Sequence, residues 1–138
     1  VGVNKMTLTD AEKTRRLAEG CMGWEVFPLD RDGYSEAMEP KLIQQITGTE
    51  EQLWAVYRKG GKSEIWQPLT NESHAAEVRE AMRAKGWEVV TTYAKRREIA
   101  SMSDKAVDIV RSGEHGKMMR LSAECALLAL GLAQEEEL

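Results

Sequence analysis

Two nearly identical phrases, "CMGWEVF" at 21–27 and "AKGWEVV" at 84–90, constrain the fold of this chain more than any other feature. Each follows a run with helical periodicity, and each glycine stands where that helix ends. Glycine takes the left-handed C′ conformation without steric cost, so the backbone can turn there and leave as a strand. The tryptophan that follows starts a strand running back over the helix just completed. An indole at such a corner covers the helix end and buries roughly 150–250 Å². On this reading Trp24 and Trp87 are corner residues of the core, not aromatics that stack on a ligand. Glu25 and Glu88 then face the other side of their strands, toward solvent. They form a paired acidic site only if the two strands are neighbours, and like charges directly opposite repel.

The remaining elements follow from period and punctuation. Thr9 and Glu12 have capping-box spacing ahead of a helix with Ala11, Leu17, Ala18 and Cys21 on one stripe. A second helix starts at Asn71 or Ser73 and carries Ala75, Val78 and Met82. A last helix, opened by Ser122, is apolar nearly all the way round and must lie against a sheet or a partner chain. Residues 53–58 and 63–68 read as a hairpin around Gly60 and Gly61, with Trp54 and Val56, or Leu53, Ala55 and Tyr57, set against Ile65. Residues 29–41 read as a loop and 42–47 as a weak strand. "WEVVTTY" is rich in β-branched residues and reads as a strand. Residues 94–105 are polar and read as a surface excursion. A second hairpin is expected around "GEHGK" at 113–117, with a short helix capped by Ser103 competing for 104–111.

At 138 residues, 42% of them hydrophobic, the chain suits one α+β domain with three helices and antiparallel hairpins. The expected division is a flexible leader at 1–8, a domain at 9–133 and a frayed acidic tail at 134–138. A net charge of -4 argues against a general nucleic-acid binder without excluding a local basic patch. Cys21 and Cys125 are too few for a disulfide framework or a zinc site and read as buried free thiols. No run approaches the roughly 18 apolar residues of a membrane span, and no signal-peptide pattern opens the sequence. A cytosolic protein without membrane contact is the expectation.

In order and spacing these segments resemble the α-β-α sandwich domain family of small phage and prophage proteins. The similarity rests on Met22-Gly23-Trp24, on Trp66, Pro68 and Leu69 ahead of the middle helix, and on the Ala-, Cys- and Leu-rich stretch from Ser122 to Leu130. It spans most of 10–132, with 29–52 and 94–105 as insertions. The resemblance implies an α-β-α sandwich, an antiparallel sheet and a phage source, and it assigns no catalytic residues.

Chemistry-bearing residues are sparse. Glu114, His115 and Lys117 share a turn flanked by Gly113 and Gly116, whose N–H groups are expected to approach an anion. His74 reads as structural, at the start of its helix. "KGGK" at 59–62 is either a solvated tip or a phosphate grip. "AKRRE" at 94–98 concentrates cations beside Tyr93 and suits a phosphate or an acidic partner. Asp30, Asp32 and Glu36 open like a calcium loop, but Lys41 stands where the twelfth-position glutamate belongs, so no metal is expected. No Walker, GxSxG, HExxH, CxxC or dinucleotide pattern occurs.

The expected function is a non-enzymatic phage accessory protein that binds a host component and needs no cofactor. It would inhibit a host defence protein or sequester a nucleotide signal, with Arg58, Lys62, Arg96, Arg97 and Lys117 as ligand-binding candidates. One alternative is a nucleotide- or phosphodiester-cleaving enzyme using the 112–117 turn, with His115 as acid/base and Glu114 or Lys117 assisting. Another is a phage structural protein that forms a homo-oligomer through its apolar last helix.

Overall fold

Helix α1 (Asp10–Gly20) starts as its cap dictates, with Thr9 Oγ1 accepting the Glu12 backbone N–H at 3.1 Å. The computed structural model to which it belongs describes residues 7–28, 54–57 and 63–138. The expected loop at 29–41, the strand at 42–47 and the tip at 59–62 lie outside the described residues.

Both repeated phrases turn as anticipated. Gly23 has φ +71° and Gly86 has φ +96°, conformations that favour glycine. The Trp24 N–H reaches back to the Ala18 carbonyl at 2.9 Å, and the Trp87 N–H to the Met82 carbonyl at 3.1 Å. These bonds close each helix and direct the chain into β1 (Glu25–Pro28) or β4 (Glu88–Tyr93). Both indoles are half-buried and pack on the core. Trp24 meets Trp66 edge-to-face, with centroids 4.9 Å apart and planes at 70°, rather than its counterpart in the repeat. Glu25 and Glu88 are exposed and belong to different sheets, so they are not paired.

The first sheet has the order β1-β2-β3, with β2 at Trp54–Tyr57 and β3 at Ser63–Ile65. Its antiparallel register sets Val26 opposite Val56 and Ala55 opposite Ile65, the second of the two hairpin registers expected. Trp66, Pro68 and Leu69 are buried where the chain leaves this sheet. They lead into α2 (Glu72–Ala84), capped by Asn71 Oδ1, which accepts the His74 N–H at 3.1 Å.

The second sheet, β4-β5-β6, corrects two expectations. Residues 94–105 are no excursion: Arg97–Ser103 form β5, the central strand. Its inward positions, Glu98, Ala100 and Met102, alternate with half-buried and exposed ones, a period of two disguised by small and charged side chains. Residues Asp108–Glu114 form strand β6, and the hairpin turn lies at 104–107. There Asp104 Oδ1 accepts the Ala106 and Val107 N–H groups at 2.8 and 2.7 Å. "GEHGK" therefore joins β6 to the last helix, α3 (Met118–Ala129), and is not a hairpin tip. Ser122 does not cap that helix. It sits a turn inside, fully buried, with its Oγ accepting from Arg79 Nη1 at 3.2 Å, while Lys117 holds the cap position.

Helix α3 lies on the inner face of β5 and β6 and also touches α2 and α1, and α1 in turn touches β1 and β2. The apolar surface round α3 is thus met within the chain. The architecture is the expected single-domain α+β sandwich of three main helices on antiparallel sheets among the described residues. Its strands divide between two three-stranded sheets. The residues expected as a frayed tail are docked: Glu135–Glu137 form a 3-10 turn, and the Glu137 carbonyl accepts the Leu8 N–H at 2.7 Å.

Candidate functional site at one end of the second sheet

Register decides which candidate residues meet. Arg97, the first residue of β5, stands opposite Glu114, the last of β6. The turn before β5 and the loop after β6 therefore project past the same end of the sheet. Arg96, Arg97, Glu114, His115 and Lys117 converge there from two separate stretches of chain. Tyr93, 62% exposed, ends β4 at this edge, with Lys95 in the turn beside it. Arg58 and Lys62 lie outside the described residues.

The gathered residues divide between two faces. Arg97 points outward, and its Nη2 donates to Ser112 Oγ at 3.2 Å. Glu98 turns to the helix side and is only 2% exposed. Its Oε1 accepts the Gly116 N–H and lies 3.9 Å from His115 Nδ1, while its Oε2 is buried without a hydrogen-bond partner. The imidazole is 80% exposed. Gly116 adopts φ +89°, which turns its N–H back toward Glu98. That N–H, expected to meet an anion, is thus already engaged. Gly113 lies against the start of α3, where a Cβ would stand at ordinary contact distance, 3.4 Å, from Leu121 and from the Lys117 Cβ.

Two chemical capacities follow. The turn offers exposed cations, Lys95 and Arg96, close in sequence to Tyr93, whose exposed phenol shares the helix-side face with its register partner Glu98; cations and an aromatic ring together suit a phosphate and a stacked base. The helix side offers an imidazole beside a buried carboxylate, the pairing that orients a histidine for proton transfer. Glu98, not Glu114, is the carboxylate within reach of His115, and sequence reasoning missed it. Its signal was the alternation with Ala100 and Met102, which places an acid at a core-facing position.

The other reactive groups are structural. His74 Nδ1 accepts the Gln67 N–H at 2.9 Å. Burial pushes the Cys21 thiol up to about 11 and the Cys125 thiol up to about 12, far from a reactive thiolate at neutral pH. Cys125 Sγ donates to the Ala100 carbonyl at 3.3 Å, and Cys21 Sγ contacts Met82 Sδ at 3.9 Å. Among the described residues no three His, Cys, Asp or Glu side chains group as a metal site. No helix of the described residues is long and apolar enough to cross a membrane.

No family model, curated protein or solved structure matches this chain.

Proposed function

We propose that this protein is a binding protein for a small phosphate-bearing ligand, a nucleotide, held at the cationic end of the second sheet. The supporting observation is the convergence of Arg96, His115 and Lys117 beside the exposed Tyr93 at that one end. Cations on flexible stems give charge-assisted bonds to phosphate, and the phenol ring gives a stacking surface for a base. In the setting implied by the resemblance to prophage proteins, the role is counter-defence in the host-cell cytosol, by sequestering a nucleotide signal. Inhibition of a host defence protein through the same end is the protein-partner version of that role.

Calorimetric titration with cyclic dinucleotides and nicotinamide-derived nucleotides tests the reading. Binding should weaken about tenfold in Arg96→Ala and in Lys117→Ala, the size of one charge-assisted bond. Binding that both variants leave unchanged, or none at millimolar nucleotide, defeats it. A second reading, cleavage of the nucleotide, is favoured by the 3.9 Å approach of His115 to Glu98. Nucleotide recovered intact after denaturing the complex supports sequestration. A cleaved product that disappears in His115→Ala supports catalysis.

A further inference from the structure

Glu98 sits at the cationic end of the second sheet as a buried charge with little to balance it. Its Oε1 accepts the Gly116 N–H, and its Oε2 is buried without a hydrogen-bond partner. A carboxylate taken out of water is costly unless a counter-charge or several donors compensate it. Among the described residues, the basic group within ion-pair distance is His115, whose Nδ1 lies 3.9 Å from Oε1.

The other groups facing this pair do not supply the counter-charge. Tyr93, the register partner of Glu98 on β4, brings a neutral phenol, and Gly113, its partner on β6, has no side chain. Arg111, the next inward residue of β6, is paired with Glu124 and Glu135. Arg79 of α2 is held by Glu72 and Ser122. Arg97 and Glu114 each stand one residue along their strands and so face the opposite side of the sheet. Arg96 and Lys117 are exposed, and the first inward side chain of α3, Met118, is apolar.

A proton is the counter-charge that remains. On His115 it makes an imidazolium that pairs with Glu98, and on Glu98 it makes a neutral acid. Either way one negative charge is cancelled beneath the loop that carries Lys117. A phosphate arriving at Arg96, His115 and Lys117 adds negative charge beside the same carboxylate and increases the demand for that proton. We propose that ligand binding at this end of the sheet is proton-linked, the His115–Glu98 pair taking up a proton as a phosphate binds. The inference rests on the reading of this end as a phosphate site. Because the bound state holds the proton more tightly, binding strengthens as pH falls through the range where histidines titrate.

Two measurements test it. In the free chain, carbon NMR from about pH 8 to 5.5 should show the Glu98 carboxyl carbon shifting as His115 titrates, a step that His115→Gln removes. Calorimetry then uses a cyclic dinucleotide and a nicotinamide dinucleotide, phosphodiesters whose phosphates do not titrate in this range. Affinity should be about three- to tenfold higher at the acid end, with a heat that varies with the ionisation heat of the buffer. His115→Gln should remove the pH dependence. Glu98→Gln keeps an acceptor for the Gly116 N–H but removes the charge, so it should tighten binding at the alkaline end, with circular dichroism confirming the fold. A merely structural Glu98 predicts the opposite sign. A Glu98 carbon that ignores His115 overturns the proposal. So does an affinity that pH leaves unchanged, or a folded Glu98→Gln that binds more weakly, and both of these leave the phosphate reading standing. Absence of binding by either ligand overturns the two together.

Discussion

Lys13 and Glu124 show how far one residue can depart from its usual setting. Their side chains are 4% and 7% exposed, with Nζ 3.3 Å from Oε2. Glu124 Oε1 also lies 3.6 Å from Arg111 Nε, and Arg111 pairs in turn with Glu135. Removing one member of a buried pair strands the other charge and costs about 3–5 kcal/mol, whereas replacing both with apolar residues of similar volume is far milder. Glu124→Leu, which strands the buried Lys13 ammonium, should therefore lower unfolding free energy in urea by about 3 kcal/mol, and K13M/E124L by less. Equal losses in the two variants would show that the ion pair is incidental. Lys13 and Thr14 share the buried stripe of α1 with Leu17 and Ala18. A hydrophobic pattern passes over Lys13 because it assigns a charge to solvent, and only the carboxylate supplied from α3, remote in sequence, reverses that; Thr14 is accommodated locally, its hydroxyl donating to the Asp10 carbonyl at 2.8 Å.

At the scale of the element, the two glycine corners make the clearest test. No atom lies within 4 Å of a Cβ built on Gly23 or Gly86, so space is not the constraint there. Their positive φ is. Gly86→Ala and Gly23→Ala should each cost about 1–2 kcal/mol in urea unfolding, from left-handed backbone strain alone. Asparagine at either position should cost less than alanine. A neutral alanine at both sites would contradict the corner account. These corners were legible because their cause is local. The start of α3 was not: its cap position carries Lys117 without a side-chain cap bond, so the first capping residue in the sequence, Ser122, misled. Strand β5 was obscured for the opposite reason, since its inward Glu98 is tolerated only because Gly116 comes round from β6 to meet it.

Over the whole molecule, charged contacts tie the two ends of the described domain together. Arg120 Nη1 and Nη2 each donate to Asp10 at 2.8 Å, and Arg16 Nη1 donates to the Leu132 carbonyl at 2.8 Å and to Glu137 at 3.4 Å. Hydrogen bonds from Arg120 hold the Asp10 carboxyl below its ordinary 3.8, outweighing the opposing effect of burial. Hydrogen bonding from Arg15, with Arg16 assisting, holds Glu12 below its ordinary 4.5. A carboxylate with a lowered folded-state pKa contributes its full stability above the unfolded value, and loses it as pH falls through the folded value. Melting temperature should therefore fall as pH drops from about 5 toward 3. Arg120→Gln should flatten that decline, and an unchanged slope would remove Asp10 from the account.

Local chemistry alone determined the cap at Thr9, the glycine corners, the existence of the β2–β3 hairpin and the α+β class. Each of these depends on residues a few positions apart, whose conformational preferences act before any tertiary contact forms. The structure chose Asn71 over Ser73 as the second cap and settled the hairpin's register. Tertiary structure alone decided that an acid sits under the central strand, that His115 faces Glu98, and that cations from two turns share one end of a sheet. Strand register sets those contacts across tens of residues, and a shift of a single position would have turned Glu98 to the other face.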